Sequence, residues 1–257
     1  MKIATFNVNS VRSREQILLD WIRENSPDIL CLQETKVPDE SFPLDVFRKA
    51  GYSATYRGEK SYNGVAILSR KLPGHLSFGF NKGQASDETR VQRADFDGFT
   101  VVNTYVPQGR SIDHPMYRHK LDWLKKLRAW FDENFKKNDK VIWVGDMNVA
   151  RTHMDVHNPE ERDTHVCYHE DARKAFEHCI EWGFEDVFRK FHPDPGHYTF
   201  FDYRNPQNVR RRRGWRVDYI LASRPAIKTA KDAWIDLGPR LQSKPSDHTV
   251  LVSEFDL

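Results

Sequence analysis

An α/β fold with helices covering sheets is the class this sequence predicts, and three observations carry it. Strand-like runs rich in β-branched and aromatic residues alternate with amphipathic stretches along the whole length. Apolar residues in those stretches recur at helical spacing. The breaks between runs, at Pro73-Gly74, Pro107-Gln-Gly109, Pro193-Asp-Pro195-Gly196 and Pro239, are turn signals rather than a linker.

In chain order, Ile3-Ala-Thr-Phe reads as a strand that closes on two carboxamides, Asn7 and Asn9. Ser13-Arg-Glu-Gln16 has the form of a capping box ahead of a helix with Ile17, Leu18, Trp21 and Ile22 on one face. The run from Asp28 ends in Gln33-Glu34, and the run from Phe99 ends in Asn103 and Tyr105. Tyr117, Leu121, Leu124, Leu127 and Phe131 form a second helical core face. Val141-Ile-Trp-Val is an apolar strand that stops at Gly145-Asp146-Met-Asn148. Ala172, Ala175, Phe176, Cys179 and Ile180 mark a third helix, with Gly183 as its stop. Asp218-Tyr-Ile-Leu221 reads as a strand, and Ser246-Asp247-His248 opens the last one, Thr249 to Phe255. Asn, Glu, Tyr, Asp and His delivered from separate strand ends predict one shared site. Those polar ends run from Asn7 to His248, so one domain spanning residues 1–257 is expected.

At 257 residues and 39% hydrophobic content the chain can bury a substantial core. No run approaches a membrane span and the first residues read as strand, so a soluble, cytoplasmic protein without membrane contact is expected. Cys31, Cys167 and Cys179 are odd in number and widely spaced, which argues against a disulfide framework or structural zinc. His153, His157, His165, Cys167 and His169 follow no compact zinc spacing, so the histidines read as surface residues and the three cysteines as buried or bland thiols. Net charge is only +3, too mild to identify a polyanionic partner. Its distribution says more: Arg204, Arg210, Arg211, Arg212, Arg213 and Arg216 fall in a 13-residue window without an acid. Such a run is either a solvated loop or a phosphate-contacting surface, and its position beside the strand bearing Asp218 favours phosphate.

Phosphodiester hydrolysis needs an oriented water and a group to take its proton, and Asp146 with Asn148 supplies both. The alternative is an Asx turn that merely closes the strand. Asp218 inside a strand requires a partner, because an unpaired buried carboxylate is costly. His248 is the natural one: a carboxylate on one ring nitrogen fixes the tautomer and leaves the other free to act. Glu34 offers a carboxylate to a hard cation, with Asn7, Asn9 and Asp247 as further oxygen donors.

Together these residues resemble the exodeoxyribonuclease III family of apurinic/apyrimidinic (AP) endonucleases, within the endonuclease–exonuclease–phosphatase superfamily. The resemblance covers essentially the whole chain. It rests on Phe6-Asn7-Val-Asn9, Leu32-Gln-Glu34-Thr-Lys36, Asn103-Thr-Tyr105-Val-Pro107, Gly145-Asp146-Met-Asn148, Gly214-Trp-Arg-Val-Asp218-Tyr and Ser246-Asp247-His248, in the family's order. It implies a four-layer α/β sandwich, two mixed sheets face to face with helices outside. It also implies Mg²⁺, with Mn²⁺ as a substitute, bound at Glu34 with Asn9 and Asp247 nearby. Asn7, Tyr105 and Asn148 would hold the scissile phosphate, Asp146 would activate water, and His248 with Asp218 would stabilise the phosphorane-like state. Phe200, Trp215 and Val217 would line a pocket for an extruded baseless sugar, with Arg110 near the DNA backbone and Arg211 and Arg212 on phosphates. One metal or two, and Asp146 or His248 as base, both stay open. Ser10 departs from the glycine many relatives carry after the second Asn, which puts the turn presenting Asn7 and Asn9 in question.

The implied activity is a Mg²⁺-dependent DNA repair nuclease that cuts 5′ to abasic sites, with 3′–5′ exonuclease or 3′-end processing. Its partner would be double-stranded DNA with abasic or 3′-blocked sites, met as a monomer, with any sliding clamp or repair partner unspecified. Two other readings are a non-catalytic nucleic-acid-binding regulator on the same fold and a phosphatase of the superfamily. The intact polar set argues against the first, and the Trp215 segment with the arginine run against the second.

Overall fold

The structure, a computed structural model, describes residues 1–80 and 83–257. In chain order the strands are β1 (Lys2–Asn7), β2 (Ile29–Gln33), β3 (Ser53–Glu59), β4 (Tyr62–Ser69), β5 (His75–Phe78), β6 (Val91–Phe96), β7 (Phe99–Tyr105), β8 (Val141–Asp146), β9 (Phe184–Asp186), β10 (Asp218–Ser223), β11 (Ala230–Asp236) and β12 (Val250–Phe255). The helices are α1 (Glu15–Asn25), α2 (Leu44–Lys49), α3 (Pro115–Asn134), α4 (Glu170–Ile180), α5 (Val187–Phe191) and α6 (Arg224–Ile227). One six-stranded sheet runs β11-β12-β1-β2-β4-β3 and the other β5-β6-β7-β8-β10-β9. Both are mixed: β1 and β2 pair parallel, as do β7 and β8, beside antiparallel neighbours.

The two-residue period of each strand sorts its side chains between layers. Ile3, Cys31 and Ile67 from one sheet meet Val101, Ile142, Val144 and Ile220 from the other in the core between them. The intervening residues face outward. Ala4, Phe6 and Leu30 pack on Leu18, Trp21 and Ile22 of α1 and Phe47 of α2. Trp143 and Tyr219 pack with Phe131 of α3 and Phe176 of α4. These contacts make the four layers that the resemblance implied. Each large apolar side chain so buried contributes about 1.5–3 kcal/mol.

One more step along each inward face explains where the chemistry collects. Ile3 and Thr5 lead to Asn7, Val101 and Asn103 to Tyr105, Ile142 and Val144 to Asp146, and Ala222 and Ile220 back to Asp218. Tyr105 and Asp218 both stand opposite Asp146 in register, and Asn7 stands opposite Gln33. The parallel pairs bring C-terminal strand ends together, while antiparallel β10 contributes its start. Gly145 permits this packing: at φ +132°, an added Cβ would lie 2.0 Å from the Thr104 carbonyl oxygen.

Two expectations are corrected. Ser13 and Gln16 form no capping box: Arg14 is the N-cap of α1 without a side-chain bond, and Ser13 Oγ pairs instead with Ser10 Oγ at 3.1 Å. Asn103 is a tie between the sheets rather than part of the site. It accepts from Gln33 Nε2 at 2.7 Å and donates to the Leu32 and Ala66 carbonyls, because its inward position falls one pleat short of the edge. All three cysteines are free and buried, and burial pushes the Cys179 thiol up to about 12.

Candidate active site

Asn7 joins the two sheets. Its Nδ2 donates to Glu34 Oε1 at 2.8 Å and to Asp146 Oδ2 at 2.9 Å. Asp146 also accepts from the Asn148 main-chain N at 2.8 Å and from Asn148 Nδ2 at 3.2 Å. β8 ends at Asp146 and Asn148 turns back at φ +48°, so the Asx turn and the paired site residues are one structure. Asn148 Nδ2 also donates to the Val106 carbonyl. The amide hydrogens of Asn7 and Asn148 therefore brace Asp146.

His248 Nδ1 lies 2.8 Å from Asp218 Oδ2, and Nε2 faces Asp146 Oδ2 at 3.8 Å. Ser246 Oγ donates to the Asn7 carbonyl and accepts from the His248 N, which fixes the turn carrying the imidazole. Thr199 Oγ1 accepts from the amides of Val217 and Asp218, which fixes the start of β10. Burial opposes charge on His248, but Asp218 and Asp146 outweigh it and push the pKa up to about 10. Burial raises Asp146 to about 7, with His248 opposing and Asp218 and Glu34 adding to the rise. Burial together with the charges of Glu34 and Asp146 pushes Tyr105 well above the usual phenol range. These shifts favour the protonated phenol and the protonated imidazole.

Glu34 behaves differently. Burial works to raise its pKa, but the adjacent Lys36 and the bond from Asn7 bring it below the usual value. Lys36 Nζ contacts Glu34 Oε2 at 2.6 Å and Asn9 Oδ1 at 2.6 Å, while Asn9 Nδ2 donates to Asp247 Oδ1 at 3.0 Å. Glu34, Asn9 and Asp247 thus form one chain of oxygen donors. That donor set fits a hard divalent cation. A further acidic cluster, Asp146, Asp218 and His248, has ligand atoms all within 4.8 Å of one another. Asn9, Ser10, Glu34, Lys36 and Asn148 all have positive φ, so the loops at this edge hold backbone that the strands behind them do not. Ser10 keeps the turn despite its departure from glycine: at φ +92° its N donates to the Glu34 carbonyl at 2.8 Å.

A cavity of 640 Å³ opens beside this cluster, reached by Glu34, Tyr105, Asn148, Asp247 and His248. Phe200, Trp215 and Val217 wall it, and the Phe200 ring stands 5.1 Å from the imidazole of His248. Gly214 lets this wall close, since a Cβ there would meet the Phe200 carbonyl oxygen at 2.6 Å.

The arginine run separates into three fates. Arg204 and Arg213 line the cavity, with Arg204 held by Asp202. Arg211 and Arg212 are exposed beyond its lining, as is Arg110 on the loop after β7. Arg216 turns inward and is fully buried, bonded to Asp155 and Asp186 at 2.7 Å each, so it does not face a phosphate.

Sequence reasoning passed over Lys36, Ser246 and Thr199, although Lys36 and Ser246 sit inside quoted motifs. It also placed His165 at the surface. His165 packs on Trp215 at 4.4 Å and lines the cavity with Cys167. The periodic pattern stops before these loops, and nothing local announced their direction.

The endonuclease/exonuclease/phosphatase family model matches residues 4–248. The chain belongs to that family. Within the family, it is 32% identical to exodeoxyribonuclease III of Haemophilus influenzae over 99% of this chain and 100% of that one. An AP endonuclease structure from Archaeoglobus fulgidus superposes with a TM-score of 0.97 at 48% identity, covering 100% of both chains. A Neisseria 3′ phosphatase, NExo, bound to a product DNA hairpin, superposes at 0.95 with 34% identity, again over 100% of both chains. This member of the family is a phosphodiester-cleaving nuclease of DNA repair.

Proposed function

We propose that the chain, acting as a single domain, hydrolyses the phosphodiester 5′ to abasic sites in double-stranded DNA and processes blocked 3′ ends. The observation that carries this reading is the buried Asp146 held between Asn7, Asn148 and His248, two of which, Asn148 and His248, line an aromatic-walled cavity. An abasic sugar costs less to extrude than a paired nucleotide, and Phe200, Trp215 and Val217 give it an apolar seat.

Asp146 takes the proton of the attacking water as the water oxygen bonds to phosphorus; the bond from phosphorus to the 3′ oxygen breaks, and that oxygen leaves with the electron pair and takes a proton from solvent. Its raised pKa, about 7, suits a base at neutral pH. His248, cationic between Asp218 and Asp146, is unsuited to accept that proton and instead offsets the negative charge that grows on the phosphoryl oxygens. Tyr105 keeps its hydrogen and can donate it to the same oxygens. Glu34, with Asn9 and Asp247 nearby, would hold Mg²⁺ or Mn²⁺, which supplies Lewis-acid stabilisation of phosphoryl charge. Lys36 already places one positive charge against Glu34 and Asn9. Arg204 and Arg213 at the cavity, and Arg110, Arg211 and Arg212 outside it, are suited to DNA phosphates.

The test uses labelled duplexes bearing one synthetic abasic site, a 3′-phosphate, or no lesion, each with Mg²⁺ and with EDTA. Metal-dependent incision 5′ to the lesion supports the reading. Action on the 3′-phosphate alone would confine the chain to 3′-end processing, and binding without cutting would favour a regulator.

A further inference from the structure

Lys120, on α3, is fully buried, and among the described residues no carboxylate pairs with it. Its ammonium donates to three main-chain carbonyls: Asn148 at 2.7 Å, Val166 at 2.8 Å and Gln108 at 3.2 Å. The acceptors come from two connections, Gln108 from that between β7 and α3, and Asn148 and Val166 from the two ends of that between β8 and α4. Gln108 follows the strand that carries Tyr105, Asn148 follows Asp146, and Val166 precedes the cavity-lining Cys167. Three acceptors around one nitrogen need three N–H donors, which the ammonium has; a neutral amine would turn a lone pair on one carbonyl. Burial works to lower its pKa, while Cys167 and Asp146 support the charged form. A buried cation without a counter-ion is costly, and the three carbonyls offset that cost only while all three stay where they are.

We propose that Lys120 is a positioning residue for the nuclease reaction, acting through the Asn148 and Val166 carbonyls to hold Asn148 against Asp146 and the Cys167 wall against the cavity. The inference rests on the functional reading above. Asn148 has φ +48° and braces Asp146 through two bonds, so the carbonyl that Lys120 grips belongs to the turn that aims the base. Displacing that turn by about 1 Å is enough to cost on the order of a hundredfold in rate.

Lys120→Met removes the charge and the donors at similar length. Leu127→Ala, on the same helix and in the core away from the site, removes packing alone and serves as the stability control. Both are assayed while folded by circular dichroism, on whichever of the abasic and 3′-phosphate duplexes the unaltered chain cleaves faster. An unaltered chain that cleaves neither overturns the functional reading and the proposed role of Lys120 with it, whereas with a cleaving unaltered chain only the Lys120 comparison is at stake. The expected result is a fall in kcat of about a hundredfold in Lys120→Met, with KM within about threefold, and a change below about threefold in Leu127→Ala. A kcat within threefold of the unaltered chain in Lys120→Met, or an equal fall in Leu127→Ala, overturns the proposal. Where Lys120→Met does not fold, Lys120→Arg decides, since it keeps the charge and donors. Activity within about tenfold of the unaltered chain then supports the role, and a loss of a hundredfold or more in the folded protein overturns it.

Discussion

The carboxylate cluster and the arginine segment lie at the same edge of the molecule, and they are built in opposite ways. Asn7, Asp146 and Asp218 are the last or first inward residues of paired strands, all buried, with Asn7 bonded to Asp146 and Asp218 to His248. Arg204 to Arg213 sit on an exposed connection, and their side chains diverge: Arg204 and Arg213 reach the cavity lining, the first of them held by Asp202, and the others go to solvent. In a strand, register and period fix the direction of a side chain. In a loop only local partners do. Chemistry that depends on direction is therefore carried by the strand ends, and attraction that tolerates disorder of direction is left to the loop.

The largest effect that would test this division is at Asp146. Asp146→Asn keeps the shape but removes the base, so kcat should fall about 10³- to 10⁴-fold, the upper range for general-base catalysis, while DNA binding measured by gel shift stays largely intact. Near-normal turnover would mean that the strand-end cluster does not carry the chemistry.

Arg216 sharpens the comparison because it belongs to the run in sequence and to the core in structure. Arg216→Met strips Asp155 and Asp186 of a buried partner and should destabilise the fold by about 3–5 kcal/mol in chemical denaturation. Asp155 gives the same network a pH signature. Burial works to raise its pKa, but Arg216 and Arg189 overcome that and hold it down at about 2, against an ordinary 3.8. A carboxyl depressed in the folded state stabilises above its unfolded value, and that stability is lost as pH falls from 3.8 towards 2. The contribution is about 2 kcal/mol, and Asp155→Asn should flatten the stability profile over that window. An unchanged profile would remove Asp155 from the account of acid unfolding.

These cases mark how far the sequence was legible. The strand period placed Asn7, Tyr105, Asp146 and Asp218 because burial forces alternation and leaves one inward position at each strand end. The same rule erred at Asn103, where the pattern gave the face correctly but not the distance to the edge, and the side chain ties the sheets together. His165 and Cys167 were missed because they line the cavity from a connection with no period. Arg216 was misjudged because an arginine run says nothing about which member turns inward. That depends on Asp155 and Asp186, 61 and 30 residues away in the chain.

A smaller effect separates the exposed arginines from the buried one. Replacing Arg211 and Arg212 with alanine should lower the slope of log K against log salt by about 2, close to one per phosphate contact, with little change in stability. Arg216→Met should leave that slope alone. Equal slopes for the unaltered chain and the double alanine variant would mean that Arg211 and Arg212 touch no phosphate.

The smallest effect concerns Ser10, where the strand end passes into the loop. Its φ of +92° is a conformation that a residue with a Cβ holds at a cost of about 1–2 kcal/mol, and glycine holds freely. Against this gain, Ser10→Gly loosens the unfolded chain by about 0.4–1 kcal/mol and removes an exposed bond to Ser13 that contributes little. The net expectation is a stabilisation of about 0.5–1 kcal/mol, read as a small rise in the thermal midpoint. The main-chain bond from residue 10 to the Glu34 carbonyl does not depend on the side chain, so kcat should stay within about threefold. A lower midpoint would show that the Ser10–Ser13 pair, and not the backbone, holds the turn; a lost kcat at an unchanged midpoint would show that the strain at this position serves the placement of Asn7 and Glu34.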